Sequence, residues 1–246
     1  MTLGLHAALA SDAWFAGCDP ALRDELLRLA QPRSLAPGGS LFRKGEDAEG
    51  LCCVTAGALR IGSLQADGSE QLLGYLEPYQ WFGEISLIDG EPRTHTATAD
   101  GPTTVLLAPQ PALLAWLDRH PACWRDVARL ACAKLRLSFG VLEDIAVLPL
   151  EQRLAKRLWL VATGYGARGE APVRRLVRLP QEQLALMLGV SRQSANKALR
   201  ALEKAGVIAL HYGAIELLQP EALHSAGGLP AQGATAQSRP CGEGVR

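Results

Sequence analysis

The 246-residue sequence contains no run of about 18 apolar residues, so no transmembrane helix is expected. Its opening segment, MTLGLHAALASDAWFAG, has no Lys or Arg and carries Asp12. That pattern does not suit a secretory leader, and a cytoplasmic protein is expected. Six cysteines occur, at 18, 52, 53, 123, 132 and 241, yet none forms a CxxC pair or a Cys/His metal spacing. Metal modules and disulfide frameworks are therefore not expected, and reduced, buried thiols are the simpler reading. No P-loop or nucleophile–base constellation is present, so catalysis is not expected.

Net charge is also lacking: 25 Lys and Arg face 25 Asp and Glu. The balance conceals a segregation. Residues 1–147 hold 12 basic against 18 acidic side chains, whereas residues 148–215 hold 11 against 4. A basic segment beside an acidic one suits a nucleic-acid reader joined to a module of another kind.

Hydrophobic patterning divides the chain further. Residues 21–30 read as a short amphipathic helix. From about 33 to 109, short apolar or alternating runs lie between Gly, Pro and Asp signals, as in an antiparallel β-roll or barrel. Residues 111–119 read as a short helix. A long one starts near Pro121 and runs to about residue 147. Along it Trp124, Ala128, Ala131, Leu135, Ser138, Leu142 and Ile145 recur at steps of four and three, a heptad seam that predicts a parallel homodimer. Ser138, the polar position in that seam, either fixes register or touches a ligand at the dimer axis. A further helix (150–163), a Gly-rich loop (164–169) and a strand (173–179) follow. The fold class is α+β.

Residues 181–208, QEQLALMLGVSRQSANKALRALEKAGVI, read as a helix-turn-helix. Gln181 opens the first helix and Gly189-Val190 is the turn. Ser191 is a fitting N-cap for the second helix, and Gly206 a fitting residue after its end. Leu184, Leu188, Ala195, Leu199 and Leu202 join the two helices. The opposite face presents Arg192, Gln193, Asn196, Lys197 and Arg200, side chains suited to base edges and phosphates in a major groove. Arg192 is expected on guanine, Gln193 on adenine or as a tolerant partner, and Arg200 on phosphate. Two runs around His211-Tyr212-Gly213 read as a β-hairpin wing. Double-stranded DNA is thus the expected partner, read by a dimer at an inverted-repeat operator.

A second motif, FGEISLIDGEPRT (82–94), has a chemistry of its own. Gly83 permits close backbone approach, and Ile85 and Ser86 fall in a helical turn whose N–H groups suit an anion. Glu84 suits a ribose hydroxyl and Arg93 a phosphate. A plain surface turn carrying a Glu and an Arg fits the same residues.

The order of these parts resembles the CRP/FNR (cyclic-AMP receptor protein) family of transcriptional regulators over residues 20–220. The resemblance implies a cyclic-nucleotide-binding β-roll sensor (1–119), a dimerisation helix (120–147) and a winged helix-turn-helix domain (148–222). The remainder, 223–246, is poor in large apolar groups and is expected to be disordered. By the same resemblance Glu84 binds the ribose 2′-hydroxyl, and Arg93 with Thr94 and the N–H groups near Gly83 and Ser86 binds the cyclic phosphate. Ser138 falls where the family has a threonine facing adenine. Phe139 departs from the family's serine, and Gln193 from the glutamate of its recognition helix. Cyclic AMP is the expected allosteric ligand, with no required cofactor. Cyclic di-GMP or no effector is the alternative, and a regulatory module of an enzyme a remote one. RNA polymerase is an implied partner. The family's iron–sulfur branch needs an N-terminal cysteine cluster, and only Cys18 precedes Cys52 here.

Overall fold

The structure, a computed structural model, describes residues 2–64, 70–165 and 173–229. Three helices precede the first strand: α1 (Thr2–Leu9), α2 (Ala13–Ala16) and α3 (Pro20–Leu29). Only the last was expected, because TLGLHAAL is apolar nearly all round and shows no polar face to set a period. Side-chain caps start α2 and α3. Asp12 accepts from Phe15 N and Asp19 from Ala21 N, both at 2.8 Å.

The β-roll comprises β1 (Gln31–Leu35), β2 (Ser40–Phe42), β3 (Gly50–Ala56), β4 (Leu59–Leu64), β5 (Glu70–Leu76), β6 (Trp81–Phe82), then α4 (Glu84–Asp89), β7 (Thr96–Ala99) and β8 (Thr103–Pro109). Two antiparallel four-stranded sheets result, ordered β1-β8-β3-β6 and β2-β7-β4-β5. Strand alternation in β3 separates its two thiols. Cys52 joins Val54, Leu59, Phe82, Val105 and Leu107 between the sheets. Cys53 faces Leu26, Trp81, Leu113 and Leu117 on the helical side. Burial pushes both thiols up, Cys52 to about 12, so they behave as apolar core groups. Cys132, by contrast, is exposed.

Next come α5 (Gln110–Leu117), a 3-10 turn at Pro121–Cys123, and the 24-residue α6 (Trp124–Val147). Cys123, Val127 and Leu130 pack α6 on its own β-roll. Trp124, expected in the intermolecular seam, is corrected: it lies against this same core. Leu135, Phe139, Leu142 and Ile145 are each more than half exposed and form an uncovered apolar stripe further along.

The C-terminal half holds α7 (Leu150–Ala162), β9 (Leu176–Val177), α8 (Gln181–Leu188), α9 (Arg192–Lys204), β10 (Ile208–His211), β11 (Ala214–Leu217) and α10 (Pro220–Ala226). The three strands form one sheet ordered β10-β11-β9. The strand expected at 173–179 shrinks to two residues paired with Ile215 and Glu216. The Gly-rich loop lies mostly outside the described residues, which omit 166–172.

The expectation of disorder from residue 223 is corrected at its start. Pro220 opens α10, Leu223 is fully buried, and His224 packs edge-on against Trp159 of α7 with ring centroids 4.7 Å apart. Leu223 suffices because α7 supplies the larger surface. Residues 230–246 of that tail lie outside the described residues. Among the described residues no helix is long and apolar enough to cross a membrane.

Asp12 makes the stability of this fold depend on pH. It is buried, and desolvation raises its carboxyl to about 6 despite the amides that cap onto it. With the folded value above the unfolded one, the contribution of Asp12 is fully present below about pH 4 and is lost as pH rises through about 6. Asp12→Asn keeps the cap without the charge. Urea unfolding should find it equal to wild type near pH 4 and more stable at pH 7 by up to about 3 kcal/mol.

Candidate functional site

The 82–94 motif folds back on itself around Arg93, which is 4% exposed. Its Nη2 donates to Gly50 O at 2.6 Å and its Nη1 to Gly83 O at 3.2 Å. The guanidinium carbon sits 4.3 Å from the centroid of Phe42, a cation–π contact. Nε is buried with no hydrogen-bond partner. Burial pulls the guanidinium below its ordinary value, and nearby Glu84 opposes that pull. Arg93 N and O close the motif on the preceding loop, bonding Glu46 O and Gly45 N at 2.8 Å each.

Gly83 is the N-cap of α4 at φ 95 and provides no side-chain cap. A Cβ there would lie 2.6 Å from Arg93 Nη1 and 3.0 Å from Gly50 O, so the guanidinium occupies the space that glycine leaves. Glu84, the first residue of α4, is 2% exposed and takes a 2.7 Å ion pair from Lys134 Nζ on α6. Ser86 is buried, whereas Ile85 is 45% exposed and offers the site only its backbone. Thr94 is exposed, its Oγ1 3.0 Å from His95 Nδ1. Ser138 lies one turn beyond Lys134 on α6, exposed, with Oγ donating to Lys134 O at 3.0 Å.

Arg93, Glu84, Gly83 and Ser86 are thus brought together, with Thr94 at the margin and Ser138 on the adjoining helix. An orphaned guanidinium N–H beside a glycine-only approach suits a small phosphorylated ligand. Sequence reasoning missed Lys134, Phe42 and Gly50. Lys134 had a signal, being four residues before Ser138 and so on the same helical face. Phe42 and Gly50 had none, because only strand pairing carries them to Arg93.

The second surface is the exposed face of α9. Ser191 caps it, accepting from Ser194 N at 3.1 Å. Arg192, Gln193, Asn196 and Lys197 line one open depression. Asn196 is half-buried and donates through Nδ2 to Gln181 Oε1 at 2.8 Å, tying the start of α8 to α9. Arg200 pairs with Glu203 at 2.6 Å. Glu203 also accepts from Leu210 N in the wing at 3.1 Å. That pairing holds the Glu203 carboxyl below its usual range. Tyr212 is fully exposed at the wing tip.

Comparison with known proteins identifies the domains that carry these two surfaces. Residues 32–120 match the cyclic nucleotide-binding domain, and residues 152–226 the Crp-like helix-turn-helix domain. The CRP-like cAMP-activated global transcriptional regulator of Mycobacterium tuberculosis is 30% identical over 215 residues, 87% of this chain and 96% of the relative. The chain belongs to the CRP/FNR family of transcriptional regulators. Two solved structures share the fold. FixK2 from Bradyrhizobium japonicum superposes with a TM-score of 0.72 at 20% identity, covering 82% of this chain and 99% of that one. The c-di-GMP responsive global regulator CLP of Xanthomonas campestris gives 0.64 at 19%, covering 81% and 99%. The domain pair, and the relative that matches over most of the chain, are those of transcription regulators.

The packing of Arg93 under Gly83 is testable with two glycines of similar backbone. Gly90 also has positive φ, but a Cβ there meets nothing within 4 Å. Gly90→Ala should therefore cost about 1 kcal/mol from backbone conformation alone. Gly83→Ala should cost at least about 1 kcal/mol more, because Arg93 must also move. Equal losses in thermal unfolding would mean that Arg93 does not fill that space.

Proposed function

We propose that this CRP/FNR regulator binds DNA as a homodimer under the control of cyclic AMP held in the 82–94 motif. The observation that carries the reading is the pairing, in one short segment, of a buried guanidinium with an unused N–H and a buried carboxylate already tied to α6. In this reading the cyclic phosphate lies on Arg93 with Thr94 and the amides of Gly83, Ile85 and Ser86. The ribose 2′-hydroxyl donates to Glu84, and the base faces Ser138.

Ligand that competes for Glu84 shifts the load on Lys134, and with it the seating of α6. An effector acts only through its differential affinity for two arrangements, so DNA tightens nucleotide binding by the factor that nucleotide tightens DNA. The apolar stripe Leu135, Phe139, Leu142 and Ile145 is the proposed dimer seam. It presents two α9 helices to an inverted-repeat operator, where RNA polymerase is the proposed further partner. Arg192 and Gln193 read bases, Ser191 and Gln181 set register, and Asn196, Lys197 and Arg200 hold flanking bases and phosphates. The place of action is the cytoplasm.

A second reading keeps the DNA chemistry and replaces the effector with cyclic di-GMP. It is favoured by Phe139, exposed beside Ser138 where the family resemblance implies a serine. A broad aromatic surface suits a larger, two-base ligand.

The test uses an operator selected from random DNA with cyclic AMP present, read by fluorescence anisotropy. Arg192→Ala should weaken binding about 5- to 150-fold with or without nucleotide, as loss of one bidentate base contact. Leu142→Glu should give a monomer in sedimentation and lose operator binding. A dimeric Leu142→Glu protein would move the interface elsewhere.

A further inference from the structure

Strand β5 belongs to the β-roll, yet two of its side chains complete the core of the DNA-binding half. Leu72 and Tyr75 are 2% and 4% exposed and share one apolar cluster with Leu154, Leu158, Leu184 and Leu188. Around this wedge lies a rim of polar contacts between the halves. Arg174, just before β9, grips Glu77 with both terminal nitrogens. The same guanidinium donates to Val161 O at 2.7 Å, so it bridges Glu77 to the end of α7. Gln183 of α8 donates to Asp100 Oδ1 at 2.6 Å, while Tyr75 donates to Asp100 Oδ2 at 2.6 Å. Gln80 donates to Gly164 O at 2.9 Å. Glu77, Gln80 and Gln183 are all buried.

Two features single this rim out from ordinary packing. Asp100 immediately follows β7, the strand that leaves Arg93 after only Thr94 and His95. A four-residue strand therefore separates the phosphate candidate from the contact on α8, and α8 is bonded to α9 through Gln181 and Asn196. The only two non-glycine residues with positive φ among the described residues, Tyr79 and Tyr165, flank the Gln80–Gly164 contact. Bulky side chains in that conformation are held there against a local cost, as at elements with two arrangements.

We propose that Glu77–Arg174 and Asp100–Gln183 form a clasp that transmits nucleotide occupancy of the 82–94 motif to the recognition helix α9. The proposal rests on the nucleotide reading above and adds a path to it that bypasses the dimer helix. β7 moves with Arg93, Asp100 moves with β7, and α8 and α9 follow as one body. These four residues are positioning residues, since none of them touches nucleotide or DNA in this scheme.

The test compares full-length wild type, Glu77→Gln, Asp100→Asn, and the exchanged pair Glu77→Arg with Arg174→Glu. For each, calorimetry gives the cyclic AMP affinity, and anisotropy the operator affinity with and without cyclic AMP. Expected is a wild-type ratio of operator affinities of about 5 to 150, falling to within about twofold of one in Glu77→Gln and Asp100→Asn. Their nucleotide affinity should stay within about threefold of wild type apart from the lost coupling, and the exchanged pair should regain most of the ratio. Variants that bind nucleotide and keep the wild-type ratio would overturn the clasp. Wild type that binds cyclic AMP with a ratio of one would overturn it too, leaving the pocket reading intact. Wild type that binds no cyclic AMP would instead remove the function reading, visible in calorimetry alone, and the clasp as a cyclic AMP relay with it.

Discussion

One buried cation organises the sensor. A guanidinium removed from water must be compensated, and Arg93 takes two carbonyls, an aromatic face and a neighbouring carboxylate, with Nε left unpaired. Each partner imposes a further condition. The carbonyl of Gly83 is reachable only because that residue has no Cβ, which fixes where α4 begins. Glu84 is then buried as the first residue of α4 and needs a cation of its own. Lys134 provides it from α6, so the charge of a loop in the β-roll is tied to the long helix. Removing Arg93 would loosen a chain of dependencies running from β3 to α6.

The DNA-binding half rests on a different kind of constraint. Its recognition face is polar and exposed, so its rigidity has to come from beneath. Ala195, Ala198 and Leu199 of α9 are buried on α7 and α8. The side-chain bond between Gln181 and Asn196 closes the outer edge. Glu203 links the same helix to the wing. The core under it also needs Leu72 and Tyr75 from the β-roll, so the two halves share one apolar cluster. In the proposed scheme, a reader built this way follows movement of the sheet beside Arg93.

Features set by local chemistry were legible in the sequence. Ser191 after a Gly-Val turn, the alternation at Cys52 and Cys53, and glycine beside an acid and an arginine each carry a mechanism within a few residues. What escaped depends on partners distant in sequence. Gly50 and Phe42 reach Arg93 through strand pairing, and Glu77 finds Arg174 across the two halves, with nothing local to signal either. Residues 223–226 look too poor in large apolar groups to order, yet one leucine and a histidine against Trp159 suffice. Trp124 fits the heptad spacing, but the β-roll beside it offers a nearer apolar surface. Arg200 is suited to phosphate by type, and its pairing with Glu203 three residues on was within reach of helix spacing.

The claim on which the rest stands is that the Arg93 and Glu84 pocket recognises a cyclic mononucleotide. Isothermal calorimetry of the full-length protein with cyclic AMP, cyclic GMP and cyclic di-GMP, beside Arg93→Ala, tests it most directly. The account predicts micromolar binding of cyclic AMP, with weaker binding of the other two, and its abolition in Arg93→Ala. Silence with all three nucleotides, or cyclic AMP binding untouched by Arg93→Ala, would contradict it. Arg93 and Glu84 would then serve the architecture of the β-roll, and the signal would enter elsewhere.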